Sequence, residues 1–170
     1  IHGAMQAAIA DPTIDAVVLR CEGSTFIAGA DITEFGKPPA GVSLGEVQRI
    51  LEESPKPVVA AIHGTALGGG LDVALVCHYR IAVPTARLGL PEVNIGLLPG
   101  AGGTQRLPRI VGPEAALEMM TSGAHVHAKA ALQSGLLDEL APEDDLTGAA
   151  VALARRVVDE KRSLRKIRDQ

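Results

Sequence analysis

The chain of 170 residues carries 46% hydrophobic side chains, enough for a core of domain size, but only 2% aromatic ones and no Trp. Its core must be built from Ala, Val, Leu, Ile and Gly, and it lacks the ring platforms on which single-stranded nucleic acid stacks. A net charge of −4 gives a polyanion no overall attraction, although Lys, Arg or backbone N–H groups can still hold a few phosphates locally.

Cys21 and Cys77 share no metal-ligand spacing and suggest no disulfide framework, so a reducing, intracellular setting is the default. No signal-peptide pattern and no apolar run long enough to span a bilayer is present. The chain begins at Ile1 inside a helix-like pattern, which implies that both ends are cut from a longer protein.

In chain order, residues 1–10 read as a short helix ended by Asp11-Pro12, and DAVVLR (15–20) as a strand. Asp31 and Glu34 have capping-box spacing before the break at Gly36-Lys37-Pro38-Pro39. Ser43 and Glu46 form a second box, opening a helix to about Glu53. PVVAAIH (57–63) is a continuous apolar run, as in a buried strand. Gly68-Gly69-Gly70 leads into a helix over 71–78, followed by strands over 79–83 and 87–90 and one helical turn over 91–96. A Gly-rich loop covers 99–104, and Pro113 starts a helix that stops near Gly123. A short strand (136–140) precedes a long amphipathic helix from Asp145 to about Leu164, whose Lys161, Arg162, Arg165, Lys166 and Arg168 suit a helix C-terminal pole or the start of a linker. Alternating short strands and helices make the class α/β, with no domain boundary inside residues 1–170.

Several motifs fail. There is no G-x-G-x-x-G, and the Gly runs lack the Lys-Ser/Thr of a P-loop. Gly41 to Gly45 matches G-x-S-x-G, but Lys37-Pro38-Pro39-Ala40 cannot be the central strand that a nucleophile elbow requires. His125 and His127 have no companion ligands and read as surface or packing residues, so no metal is expected. His63 and His78 read as structural.

The strand, Gly run and helix from Ile62 to Asp72 put unpaired N–H groups and the positive pole of a helix where a ligand can approach closely. Such a place suits an oxygen that is developing negative charge. Asp72, in the first turn of that helix, and Glu92, after Pro91, are carboxylates that could either complement helix dipoles or perform acid–base chemistry.

Together, FIAGADI (26–32), IHGTALGGGLD (62–72) and GLPEVNIGLLPGAGGTQR (89–106) resemble the crotonase, or enoyl-CoA hydratase/isomerase, superfamily, over about residues 15–140. The resemblance implies a spiral of strand-strand-helix units and an acyl-CoA substrate that carries the coenzyme itself, with no other cofactor. It implies backbone N–H groups of Ala30 and Gly69 as an oxyanion hole, and backbone around Ala28, Asp31 and Ile32 against the CoA adenine. Glu92 matches one family glutamate. Asp72 stands where the second is a Glu, about 1.5 Å shorter in reach.

The resemblance therefore implies hydration of a trans-2-enoyl-CoA in fatty-acid β-oxidation, with Glu92 and Asp72 catalytic. A 3,2-enoyl-CoA isomerase using Glu92 alone, or a non-catalytic acyl-CoA-binding subunit, are the alternatives. CHYRIA (77–82) and LRKIRD (164–169) resemble the hydratase/isomerase half of bifunctional β-oxidation proteins, implying fusion to a 3-hydroxyacyl-CoA dehydrogenase half, or else a homotrimer or hexamer. An N-terminal strand pair and C-terminal covering helices of the family are expected to lie outside this stretch. The expected setting is bacterial cytoplasm, or an organelle matrix in a eukaryote.

Overall fold

The computed structural model of the chain describes residues 1–29 and 41–169. The capping box expected at Asp31 and Glu34 and the break at Gly36 to Pro39 lie outside the described residues.

Four parallel strands, β1 (Val17–Arg20), β2 (Val58–Ile62), β4 (Tyr79–Ala82) and β7 (Glu139–Leu140), form one sheet in the order β1-β2-β4-β7. Every residue of β2 is buried, as its unbroken apolar run demands of a central parallel strand. Three shorter strands, β3 (Thr65–Leu67), β5 (Arg87–Gly89) and β6 (Val126–His127), form a second sheet in the order β3-β5-β6. The chain alternates between the two. β2 passes to β3 and then to helix α3 (Gly69–Val76), and β4 passes to β5, a 3-10 turn (Pro91–Ile95) and helix α4 (Gly103–Val111). This is the strand-strand-helix spiral that the sequence implies.

Helix α7 (Leu146–Asp159) packs against β1 and β2. It buries Leu146, Ala150, Leu153, Ala154 and Val157, a stripe with the helical period. Helix α1 (His2–Ala10) lies beside α2 (Leu44–Glu52) and inserts Met5 into the core. In α2 the expected capping box is complete: Ser43 N–H donates to Glu46 Oε2 at 2.9 Å, and Glu46 N–H to Ser43 Oγ at 3.2 Å. Helix α5 (Pro113–Ser122) ends at Gly123, as its Pro and Gly predict.

Four expectations need correction, and one stretch holds elements that the sequence did not predict. Helix α3 starts inside the Gly run and stops at Val76, which leaves His78 beyond it. His78 is fully buried and structural: its Nδ1 accepts from Val58 N–H and its Nε2 faces the Glu52 carbonyl. The Gly-rich loop runs directly into α4, which contains Pro108; the Pro removes the N–H that would pair with the Thr104 carbonyl, while Leu107 is wholly buried. Strand β6 and helix α6 (Ala128–Gln133) occupy residues 126–133, for which no element is predicted from the sequence. The strand expected over 136–140 shrinks to Glu139–Leu140, although Leu136 and Leu137 are buried.

Finally, α7 ends at Asp159, and Lys161, with φ of 51°, turns the chain back. The basic residues that follow are therefore not a helix pole. Arg165 lies over the Tyr79 ring, 4.3 Å from its centroid, and pairs with Asp138. Arg168 reaches Glu53 at 3.1 Å, and Ile167 between them enters the core.

Candidate active site

The site grows from the junction of β3 and α3. Gly68 caps α3 with φ of 53°, a left-handed conformation that disfavours a side chain, and its N–H donates to the Gly89 carbonyl at 2.9 Å. A Cβ at Gly68 would stand 3.2 Å from Glu92 Oε1, so the bare backbone leaves room for that carboxyl. At Gly70 a Cβ would stand 2.1 Å from the Ile27 carbonyl oxygen, so only glycine lets the 26–29 segment cross the helix start. Ile27 is fixed there as an added partner of β3, its N–H donating to Thr65 O and its carbonyl accepting from Leu67 N–H. Ala28 and Gly29 are thereby carried to the mouth of α3. The Gly69 N–H finds no protein acceptor among the described residues, as an anion-facing donor at a helix start requires.

Asp72 stands in the first turn of α3 with its own N–H bonded to the Gly68 carbonyl. Its side chain is completely buried, and neither carboxyl oxygen has a hydrogen-bond partner among the described residues. Burial pushes the carboxyl up to about 7; the negative charge of Glu92 adds to the rise, and the Arg106 guanidinium opposes it. Glu92 is the second residue of the 3-10 turn and is half-buried, with Oε2 shielded and unpartnered among the described residues. Three orphan carboxyl oxygens thus belong to one place. Buried polar groups are ordinarily paired, so their isolation marks a place for a ligand or water.

Ala28, Gly69, Asp72 and Glu92 line a single cleft of about 760 Å³, within the range of small-molecule sites. Its remaining wall is largely apolar, with Leu44 from α2, Ile95 from the turn, and Leu97 and Leu98 after it. Of the residues singled out from sequence, these four come together. Ala30, Asp31 and Ile32 lie outside the described residues. Two polar residues of the site escaped the sequence reading. Gln48 is buried in the cleft wall, and Arg106 donates to the Ala101 carbonyl and pairs with Glu52 at 3.4 Å. The signal for Gln48 was present: it is the one polar member of the stripe Leu44, Val47, Gln48, Leu51. Among the described residues, no group of three or more His, Cys, Asp or Glu could hold a metal. No helix there is long and apolar enough to cross a membrane.

The family model described as enoyl-CoA hydratase/isomerase matches residues 1–170. A peroxisomal bifunctional enzyme of Danio rerio is 49% identical over 98% of the chain, which spans 23% of that relative's length. Among solved structures, DspI of Pseudomonas aeruginosa superposes with a TM-score of 0.83 at 36% identity, over 98% of this chain and 66% of that one. An enoyl-CoA hydratase from Bacillus anthracis superposes with a TM-score of 0.81 at 34% identity, over 91% of this chain and 63% of that one. With the strand-strand-helix spiral and the match along its whole length, the chain belongs to the enoyl-CoA hydratase/isomerase family.

Proposed function

We propose that the chain carries the site of an enoyl-CoA hydratase, adding water across the double bond of a trans-2-enoyl-CoA in fatty-acid β-oxidation. The observation that carries this reading is the pairing of Asp72 and Glu92 in the cleft that opens on the Gly69 N–H, which has no acceptor among the described residues.

Adding water at C3 pushes electrons toward the thioester carbonyl and builds an enolate oxygen. A backbone N–H at the positive end of α3 stabilises that charge, and loss of one such donor typically costs about 10²–10³-fold. Ala30 N–H is the second donor in this reading. One carboxyl must take a proton from water while the other delivers one to C2. Asp72 suits this pair because burial lets it hold a proton near neutral pH. The substrate brings its coenzyme A, and the chemistry needs no further cofactor. The apolar wall of Leu44, Ile95, Leu97 and Leu98 suits an acyl chain.

A second reading has support in the same geometry. Asp72 is withdrawn wholly into the core while Glu92 stays half-exposed, an asymmetry that suits a 3,2-enoyl-CoA isomerase in which Glu92 alone shuttles the proton. The two are separated by incubating the complete protein with crotonyl-CoA and with a 3-enoyl-CoA and following both products. Formation of 3-hydroxybutyryl-CoA supports the hydratase; double-bond migration without hydration supports the isomerase. The name of the Danio rerio relative, a peroxisomal bifunctional enzyme, supports a covalent link to a second enzymatic half, a dehydrogenase by the sequence resemblance, and, for a eukaryotic source, an organelle matrix.

A further inference from the structure

Gln48 is a polar side chain in the cleft wall that the chemistry above does not use. It is 6% exposed, and its Nε2 donates to the Ala101 carbonyl at 2.8 Å. The same carbonyl accepts from Arg106 Nη1 at 3.2 Å. Donors from α2 and α4 thus converge on one oxygen of the segment that joins the 3-10 turn to α4.

That segment has little else to hold it. Its backbone is irregular up to a turn over residues 100–102, and Leu98 is 81% exposed. Yet Leu97, Leu98, Gly100 and Ala101 form one wall of the cleft. The nearest backbone tie on the turn side is Leu97 N–H to the Glu92 carbonyl, so this wall continues directly from the residue that presents the Glu92 carboxyl.

We propose that Gln48, with Arg106, is a positioning residue that sets acyl-length selectivity by pinning the 97–101 wall through the Ala101 carbonyl. The inference rests on the acyl-CoA reading of the cleft. A short acyl group is held chiefly at its thioester, beside Gly69. A longer one must also bury its tail against Leu97 and Leu98, and it gains from those side chains only while their backbone is held in place.

The test measures affinity of the complete protein for butyryl-CoA and decanoyl-CoA by calorimetry, in the unsubstituted protein and in three variants. Gln48→Met keeps the volume and removes the donor, and Gln48→Asn leaves the amide one methylene short of Ala101. Gln48→His returns a ring N–H near the position of the lost amide. One hydrogen bond of this kind sets a change of about two- to tenfold. Met and Asn are expected to weaken decanoyl-CoA relative to butyryl-CoA by that factor, and His to recover part of the loss. An unchanged ratio in whichever of the Met and Asn proteins keeps the native circular dichroism overturns the proposal, as does an equal loss for both ligands. If the unsubstituted protein binds neither ligand, the acyl-CoA reading falls and this inference with it. If it binds both but hydrates no enoyl-CoA, only the hydratase reading falls, since the selectivity ratio is read from binding alone.

Discussion

Asp72 and Glu92 act on each other: Asp72 is fully buried with no donor on either oxygen among the described residues, and the charge of Glu92 is, after burial, the main reason its carboxyl holds a proton up to about 7. A carboxyl in that position works against folding once it ionises.

The sign of the pH effect follows directly. The value for Asp72 rises from 3.8 to about 7 in the folded chain, so the folded state binds more protons across that interval. Its contribution to stability is present below about pH 4 and is lost as pH rises toward 7. Asp72→Asn cannot ionise and is expected to be more stable than the parent at about pH 8, by roughly 2–4 kcal/mol. Denaturant titrations of both proteins at about pH 5 and pH 8 check this. An Asn variant with no advantage at the higher pH contradicts the buried, unpartnered environment.

Glu92→Gln preserves shape and hydrogen-bonding reach while removing the ionisable group. General acid–base work typically contributes about 10²–10⁴-fold, so hydration of crotonyl-CoA and migration of a 3-enoyl double bond should both fall by that order. Steady-state rates on the two substrates decide it; retention of either at the parent level removes Glu92 from the chemistry.

The Gly run can be tested by stability and binding together. A methyl group at Gly70 would collide with the Ile27 carbonyl, a backbone atom that cannot swing aside. Gly70→Ala should destabilise by about 1–3 kcal/mol or more, as forced overpacking does, and weaken acyl-CoA binding by displacing the 26–29 segment. Gly3, in α1, has open space at its Cβ, and Gly3→Ala should stabilise by about 0.5–1 kcal/mol through helix propensity. Thermal melts of the two variants should shift in opposite directions.

The part of this architecture that is legible in the sequence is the part set by neighbours along the chain. The Ser43–Glu46 box, the all-apolar β2 and the Pro113-to-Gly123 limits of α5 depend on local chemistry, and each forms where its residues imply. Helix α4 was hidden because Pro108 argues locally against a helix, while the burial of Leu107 that offsets it comes from tertiary packing. The end of α7 was misplaced for the same reason: Arg165 and Arg168 suit a helix pole by charge, yet Tyr79, Asp138 and Glu53, remote in sequence, draw them away. At the candidate site, the motifs singled out Gly69, Asp72 and Glu92, which line one cleft, and registered the shortened side chain at Asp72. They could not show that Asp72 is buried and without donors among the described residues, because Gly103 and Arg106 beside it come from other elements.

The most direct test of the two-carboxyl site is the rate of crotonyl-CoA hydration by the complete protein carrying Asp72→Ala or Asp72→Glu. If Asp72 handles the proton or the water, the Ala variant should lose hydration by about 10²-fold or more. The Glu variant, which restores about 1.5 Å of reach, should match or exceed the parent. Hydration that survives Asp72→Ala, or robust double-bond migration with no hydration even in Asp72→Glu, would contradict the two-carboxyl hydratase and leave Glu92 as the sole acid–base group.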